Sequence, residues 1–326
     1  MKIQDAYHKM FEREDTKAQK NHISIDSEQI KSLFDVQYGE DPQNNIFDFY
    51  YPADCDEKLP TILYVHGGGY VAGNKIDINR FVKILTENGY CVVNMEYTKV
   101  DGKEHKYLPT PIFEVFELFK FLKNNEQFSK HIDYNNIFLA GDSAGAHIVS
   151  LVANIQTNPS LKYDFNLTGG PQVKGLILTC PVLGEFNFGV LPIKNAYFKV
   201  LYGEDNPYAP ICNNFNVLTD KFPPSILIST QNDFVSIPHA NAFSKKAKEL
   251  GLSLRYCLVQ SGYKLFHNSM LKYVEKYPQF VGEICSFVDD AVNGQFAEGV
   301  QKKIIKEKQI DNKKVDNQKT DGLSFE

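Results

Sequence analysis

Short apolar runs alternate with helical patterns along most of this sequence, and the alternation limits the fold to few classes. Apolar runs of this kind are typical of strands buried on both faces of a sheet. They span residues 45–52, 60–69, 90–97, 135–141, 173–183, 224–230 and 254–260. Helical patterns occupy residues 79–89, 110–125, 146–156, 239–251 and 278–292. We therefore predict an α/β protein with a mainly parallel central sheet and helices on both faces.

The composition is that of an ordinary globular protein. Hydrophobic residues make up 43% of the 326 residues, and the formal net charge is −5. So mild a charge does not indicate nucleic acid or an anionic membrane as a partner. The six cysteines contain no C-x-x-C pair, so we expect neither a disulfide framework nor a zinc site. With no signal-peptide pattern and no apolar run near the ~18 residues that cross a bilayer, we expect a cytoplasmic protein without integral membrane contact.

Three regions stand outside the alternation. Residues 1–45 are polar and helix-prone, and we predict an N-terminal cap or lid segment there. Residues 46–293 form the predicted main α/β domain, which residues 184–222 interrupt with a stretch rich in Phe, Tyr and Asn. We predict that this insertion caps the sheet. Residues 294–326 are charged and poor in apolar residues, which predicts a largely disordered tail.

Two glycine-rich turns carry the chemistry. "GDSAG" (141–145) places Ser143 between a predicted strand and a predicted helix, the context that a G-x-S-x-G nucleophile requires. A capping serine at a glycine-bounded turn is the alternative. "HGGGY" (66–70) also follows a strand, and three successive glycines suit a loop whose backbone N–H groups face an oxyanion. A phosphate-binding loop is the alternative, although neither common phosphate-loop pattern is present.

With these two motifs in this order, the chain resembles the hormone-sensitive-lipase-like family of α/β-hydrolases. The segments 95–122 and 216–235 are similar to two further stretches of that family, and the resemblance covers about residues 46–292. It implies an α/β-hydrolase fold with a cap and a serine-based hydrolytic activity. The chain departs from the family pattern at Tyr70, where Trp is common, in "NDFVS" and "HNS", and in lacking A-P-E after Tyr97. These departures weaken the assignment of a substrate.

A serine nucleophile needs a base, and in this fold the chain order is serine, acid, histidine. Three histidines follow Ser143. His147 lies one helical turn further on, and we interpret it as a packing or capping residue. His239 is too close to the predicted acid to lie on a separate loop. His267 follows the last predicted strand and therefore falls at the carboxyl edge of the sheet, which makes it the predicted base.

The acid must lie between Ser143 and His267. The candidates are Asp164, Glu185, Glu204, Asp205, Asp220, Asp233 and Glu249. Only Asp233 directly ends a clear strand, so we predict that it orients the imidazole. The alternative is an ordinary turn aspartate at a strand end.

The resemblance also implies an oxyanion hole and a substrate pocket. The hole would consist of the Ala144 N–H with those of Gly68 and Gly69, and a shift to Gly67 stays open. Tyr70 and Asp142 are candidate substrate contacts, although Asp142 would equally suit a local turn bond. Aromatic residues of the insertion would line an acyl pocket or form the core of the cap itself: Phe186, Phe188, Tyr197, Phe198 and Tyr202.

We therefore predict a serine carboxylesterase that cleaves short- to medium-chain esters through an acyl-enzyme. It would need no metal and no cofactor, bind a small-molecule ester, and exist as a monomer or homodimer. A peptidase, amidase or formamidase with the same three residues is one alternative. An inactive ligand-binding protein on the same scaffold is the other.

Overall fold

The computed structural model describes residues 28–100, 107–165, 167, 170, 172–184, 201–203, 207–260 and 266–306. The strands are β1 (Ile30–Gln37), β2 (Ile46–Pro52), β3 (Leu59–Val65), β4 (Cys91–Met95), β5 (Ile132–Asp142), β6 (Val173–Thr179), β7 (Ser225–Thr230), β8 (Leu254–Gln260) and β9 (Val300–Lys306). They form one sheet in the order β1-β2-β4-β3-β5-β6-β7-β8-β9. β2 pairs antiparallel with β1 and β4, and every other neighbouring pair is parallel.

Helices cover both faces of the sheet. They are α1 (Asn79–Glu87), α2 (Thr110–Asn124), α3 (Glu126–Ser129), α4 (Ala144–Thr157), α5 (Pro159–Asp164), α6 (Asn214–Val217), α7 (Ser236–Leu250), α8 (Ser269–Lys272) and α9 (Pro278–Val292). Among the described residues, no helix is both long and apolar enough to cross a membrane.

The strands divide their side chains between two apolar layers. Leu63 and Leu139 pack with α2, α4 and α7 on one face. Their neighbours Ile62 and Phe138 pack with α1 and α9 on the other. Successive side chains of a strand point to opposite faces, so a strand that is apolar throughout must be covered twice. The predicted mainly parallel sheet with helices on both faces is confirmed.

The N-terminal region differs from the prediction. Residues 30–37 are an edge strand that pairs antiparallel with β2, from Ile30 opposite Pro52 to Gln37 opposite Ile46, and are not part of a separate cap. The strand is only partly buried, and Phe34 is exposed. One covered face and polar residues on the other weaken the apolar signal that identifies interior strands. Residues 1–27 lie outside the described part of the chain.

The C-terminal region also differs from the prediction. Residues 300–306, placed in the predicted disordered tail, form β9 and pair in parallel with β8 from Leu254 opposite Val300 onward. Ile305 is buried, whereas the lysines of the strand are exposed. Charged residues are common on edge strands, because they oppose pairing with further chains. Here the lysines give the strand the composition of a solvated tail, which is why it was not predicted. Residues 307–326 lie outside the described part.

The predicted insertion is described at residues 184, 201–203 and 207–222. Its described part packs over α4: Asn154 Nδ2 donates to Asn214 Oδ1 at 2.7 Å, and His147 Nε2 donates to the Cys212 carbonyl at 2.7 Å. Its role as a cap stays a prediction. Four of the predicted pocket residues lie outside the described residues: Phe186, Phe188, Tyr197 and Phe198.

Candidate active site

Ser143 occupies a sharp turn between β5 and α4. Its backbone has φ 50° and ψ −113°, a left-handed conformation that L residues seldom adopt. The turn fits only because its neighbours lack side chains: a Cβ at Gly145 would lie 2.0 Å from the Val65 carbonyl oxygen, and one at Gly141 would lie 2.5 Å from the Gly145 backbone. The serine side chain makes no helix-capping hydrogen bond. Its position therefore differs from that of a capping serine.

Three side chains from separate loops meet at this turn. Ser143 Oγ donates to His267 Nε2 at 2.8 Å, and His267 Nδ1 donates to Asp233 Oδ2 at 2.8 Å. The Asp233 side chain is fully buried, and the His267 side chain is 29% exposed. An ionised carboxylate can only accept hydrogen bonds, so the imidazole proton lies on Nδ1. Nε2 is then left as the acceptor for the serine proton.

The surroundings of Asp233 keep it ionised. Its Oδ1 accepts the backbone N–H groups of Val235 at 3.0 Å and Ser236 at 2.9 Å, and its Oδ2 accepts Ser236 Oγ at 2.6 Å. Burial opposes ionisation, but the hydrogen bonds and charge of His267 and the bonds from Ser236 outweigh it and lower the pKa of Asp233 to about 2. The carboxylate therefore stays charged throughout the neutral range.

Asp142 links the segments of the site to one another. Its Oδ1 accepts the Gly67 N–H and the Tyr64 hydroxyl, each at 3.0 Å, and its Oδ2 accepts Asn268 Nδ2 at 2.6 Å. The residue is 4% exposed, and burial raises the pKa of its carboxyl group. Since protein donors engage both oxygens, Asp142 joins the glycine loop (residues 66–70) to the loop of His267. Its predicted substrate contact stays a prediction.

Tyr70 likewise turns inward. Its side chain is buried, and its hydroxyl donates to His147 Nδ1 at 2.8 Å, while His147 Nε2 donates to the Cys212 carbonyl. Tyr70 thus links the glycine loop through α4 to the insertion, and its predicted substrate contact stays a prediction. His147 is a buried structural residue, as its position one turn after Ser143 suggested.

The acid sensitivity of folding should depend on His147. Burial lowers its pKa to about 4, so between that value and its unfolded pKa of about 6.5 only the unfolded chain gains the proton. Stability is therefore complete above pH ~6.5 and falls as the pH drops, by about 2–3 kcal/mol for this residue at pH ~4.5. In His147→Gln, the amide can accept from Tyr70 and donate to Cys212 without titrating.

Urea unfolding of the wild type and of His147→Gln, each above pH ~6.5 and at pH ~4.5, measures this contribution. We expect the His147→Gln variant to lose about 2–3 kcal/mol less stability on acidification than the wild type. His239, whose pKa burial also lowers to about 4, is present in both proteins, so its own contribution largely cancels, and its charge also lowers the pKa of His147. Equal losses in the two proteins would contradict the interpretation.

A buried polar cluster supports the glycine loop and was missed from the sequence. His66 Nε2 lies 2.8 Å from Glu96 Oε1, and the Lys99 ammonium also bonds this carboxylate. Burial opposes ionisation of Glu96, but the charges of His66 and Lys99 lower its pKa well below the usual range. Tyr97 OH donates to the His66 carbonyl at 3.2 Å. The only sequence signal was that "MEYTK" follows a buried strand.

The remaining predicted residues that the structure describes are Ala144, Gly67, Gly68, Gly69 and Tyr202. Ala144 begins α4, while Gly68 and Gly69 have φ angles of 116° and 60°. The Gly67 N–H donates to Asp142. Tyr202 is buried.

Within the described residues, one group has ligand atoms close enough to hold a metal ion, and it overlaps this site: Cys180, Asp233 and His267.

A mainly parallel sheet with a strained serine turn, and with a histidine and an acid on its later loops, defines a serine hydrolase of the α/β-hydrolase fold. Residues 47–177 match the BD-FAE family model. A protein of Acanthamoeba polyphaga mimivirus named "Putative alpha/beta hydrolase" is 27% identical over 256 residues, which cover 74% of this chain and 72% of that protein.

Two further comparisons point the same way. The isoprenylcysteine alpha-carbonyl methylesterase of Arabidopsis thaliana is 25% identical over 222 residues, 62% of this chain and 49% of that protein. The crystal structure of an inhibited esterase B from Lactobacillus rhamnosis superposes with a TM-score of 0.77 at 24% identity, covering 90% of this chain and 96% of that one. The chain thus has the α/β-hydrolase fold, and the relatives it resembles are hydrolases and esterases, which supports a serine ester hydrolase of the carboxylesterase type.

Proposed function

We propose that the chain cleaves small carboxylic esters with Ser143 as nucleophile, His267 as general base and Asp233 as orienting acid. The observation that carries the proposal is the unbroken hydrogen-bond path from Ser143 Oγ through the imidazole to Asp233, with both links at 2.8 Å. A hydroxyl is a weak nucleophile at neutral pH, and this path provides the base that activates it.

The reaction proceeds in two halves. Ser143 Oγ attacks the ester carbonyl carbon while His267 Nε2 takes the hydroxyl proton. Collapse of the tetrahedral intermediate breaks the carbon–oxygen bond of the ester, and the alcohol leaves with the proton from Nε2. Water then attacks the acyl-enzyme and gives a proton to Nε2. The second collapse releases the carboxylic acid and returns the proton to Ser143. Asp233 stabilises the imidazolium in both halves without taking its proton.

Backbone amides stabilise the oxyanion in this proposal. Ala144 is the first residue of α4, and the first N–H groups of a helix lack partners within the helix. Gly68 and Gly69 would supply the other donors from the opposite side. The Gly67 amide already donates to Asp142 at 3.0 Å, which argues against Gly67 as a donor. Each donor would stabilise the transition state by about 2.7–4 kcal/mol.

An apolar entrance supports a substrate with a hydrocarbon part. Phe234 follows the acid directly and is 79% exposed, and Phe266 precedes the base and is 51% exposed. Large exposed aromatics beside a reactive centre are typical of a ligand-contacting surface. The short- to medium-chain acyl preference is part of this proposal and is tested by varying the acyl chain. The remaining pocket aromatics of the insertion stay candidates from the sequence.

A substrate panel tests the proposed function. We expect the purified chain to hydrolyse p-nitrophenyl acetate, butyrate, hexanoate and octanoate, with kcat/KM falling steeply for palmitate. The p-nitroanilides of the same acyl groups should be cleaved at least about a hundredfold more slowly. An amine is a poor leaving group that must be protonated, and His267 is the one described residue that the proposal assigns to this step. Comparable anilide turnover would favour the amidase or formamidase alternative, and no turnover of any of these substrates would favour the inactive binding protein.

A further inference from the structure

A cysteine thiol lies beside the acid and the base. Cys180 follows β6 at the carboxyl end of the sheet, is fully buried, and has a left-handed backbone with φ 42°. Its sulfur lies close to the Asp233 carboxylate and to the backbone of Thr230 and Asn268. The ligand atoms of Cys180, Asp233 and His267 all lie within 4.8 Å of one another. The proposed ester hydrolysis uses Asp233 and His267, and the Cys180 thiol has no role in it.

We propose that Cys180, Asp233 and His267 form an inhibitory binding site for a thiophilic divalent metal ion such as Zn²⁺. The inhibition rests on the proposed function, whereas the binding of the ion does not. A sulfur, an imidazole nitrogen and a carboxylate oxygen are the three ligand types that zinc takes from proteins. In a tetrahedral zinc site such atoms lie about 3.3–3.6 Å apart. The His267 Nδ1–Asp233 Oδ2 pair, at 2.8 Å, would open slightly, and all ligand atoms of the group lie within 4.8 Å of one another. Water from the substrate opening would complete the coordination.

Charge balance favours the ion in this buried place. The Cys180 thiol loses its proton to solvent when it binds the metal, since a coordinated thiol is deprotonated. The thiolate, the Asp233 carboxylate and a doubly charged cation then sum to zero. A neutral cluster avoids the free-energy cost of burying a net charge. The same balance is not available to a singly charged cation or to Zn²⁺ without the thiolate.

The bound ion would block catalysis through the imidazole tautomer. Coordination through Nδ1, which lies 2.8 Å from Asp233 Oδ2, requires the imidazole proton to move from Nδ1 to Nε2. Nε2 would then carry a hydrogen and could no longer accept the proton of Ser143. Inhibition would therefore be reversible, because only protons and the metal ion move and no bond between heavy atoms of the protein forms or breaks.

The environment favours metal binding over oxidation of this thiol. Burial and the charge of Asp233 raise the pKa of Cys180 well above its usual range, so little of it is the thiolate that oxidants attack. A metal ion displaces the thiol proton itself and reaches the sulfur from the His267 side, where the imidazole is 29% exposed. The other thiols lack this combination of neighbours among the described residues.

Inhibition by zinc and the ultraviolet band of a cadmium–thiolate bond test the site. We expect Zn²⁺ to inhibit p-nitrophenyl butyrate hydrolysis by the wild type, and EDTA to restore it. In Cys180→Ala, and in Cys180→Ser should alanine perturb folding, the zinc concentration for half inhibition should rise at least about tenfold. Each variant is compared with its own rate without zinc.

The matched control is a Cys55→Ala/Cys285→Ala variant, which removes the two half-buried thiols outside the site. It should keep the zinc inhibition and, on titration with Cd²⁺, the thiolate band. Adding Cys180→Ala to this variant should abolish the band. Unchanged zinc inhibition in Cys180→Ala, or a cadmium band that survives the triple substitution, would overturn the proposal. Absence of esterase activity would instead reject the proposed function, and the cadmium band would still decide whether the site binds metal.

Discussion

Replacing Ser143 by alanine is expected to lower kcat for ester hydrolysis by about 10⁶-fold while leaving the fold intact. The substitution removes one oxygen, which in the structure bonds His267 Nε2 at 2.8 Å. The Cβ that determines the strained backbone at φ 50° remains. Without the hydroxyl, no acyl-enzyme can form, and only the amide donors and substrate binding continue to assist attack by water.

Steady-state kinetics and thermal unfolding of the variant test this expectation. Ser150→Ala is the matched control, because Ser150 is a buried serine of the same helix whose hydroxyl bonds the Ala146 carbonyl. It should keep kcat within a few fold. A phosphonate ester should add covalently to the wild type and to Ser150→Ala but not to Ser143→Ala, as seen by intact mass. A Ser143→Ala enzyme retaining about 1% of kcat or more would remove the serine from the nucleophile role.

Replacing Asp233 by asparagine should lower kcat by about 10⁴-fold through the imidazole tautomer. Two backbone N–H groups donate to Oδ1, from Val235 and Ser236, so the amide oxygen of the new side chain must take that place. The amide NH₂ then occupies the Oδ2 position and faces His267 Nδ1. It donates to Nδ1, which forces the imidazole proton onto Nε2 and removes the acceptor for the Ser143 proton.

The control for this variant is Asp220→Asn, since Asp220 is a described residue of the insertion and was a candidate acid from the sequence. Its kcat should match the wild type. The tautomer explanation is also open to nitrogen-15 NMR of the imidazole, in which Asp233→Asn should shift the proton from Nδ1 to Nε2. A large loss of activity in Asp220→Asn, with little in Asp233→Asn, would reassign the acid.

Chain order and strand ends were enough to select the residues that meet at the site. Ser143, Asp233 and His267 each follow a run of apolar strand residues, and parallel strands bring such ends to one edge. The two edge strands escaped the same reasoning. β1 has a single covered face, and β9 contains three lysines among seven residues, so neither has the continuous apolar character of an interior strand.

The supporting contacts could not be predicted, because they depend on the completed topology. Asn268 lies 126 residues from Asp142 in sequence, and Tyr70 lies 77 residues from His147. No periodicity or local motif relates positions so far apart. The three glycines of residues 66–70 could be explained from the sequence by the backbone conformation of their loop. The side chains that hold this loop in place could be identified only from the structure, in which the strands lie side by side.

The hydrogen bonds of Asp142 make the three catalytic loops interdependent. If either the glycine loop or the Asn268 loop swings away, a buried carboxylate loses a donor, at a cost of about 1–3 kcal/mol. Molecules with only one of the two loops seated are therefore scarce. We expect the population to divide instead between molecules with an intact site and molecules in which the whole site is disordered. A sample that loses activity then contains fewer active molecules, and each active molecule keeps its rate.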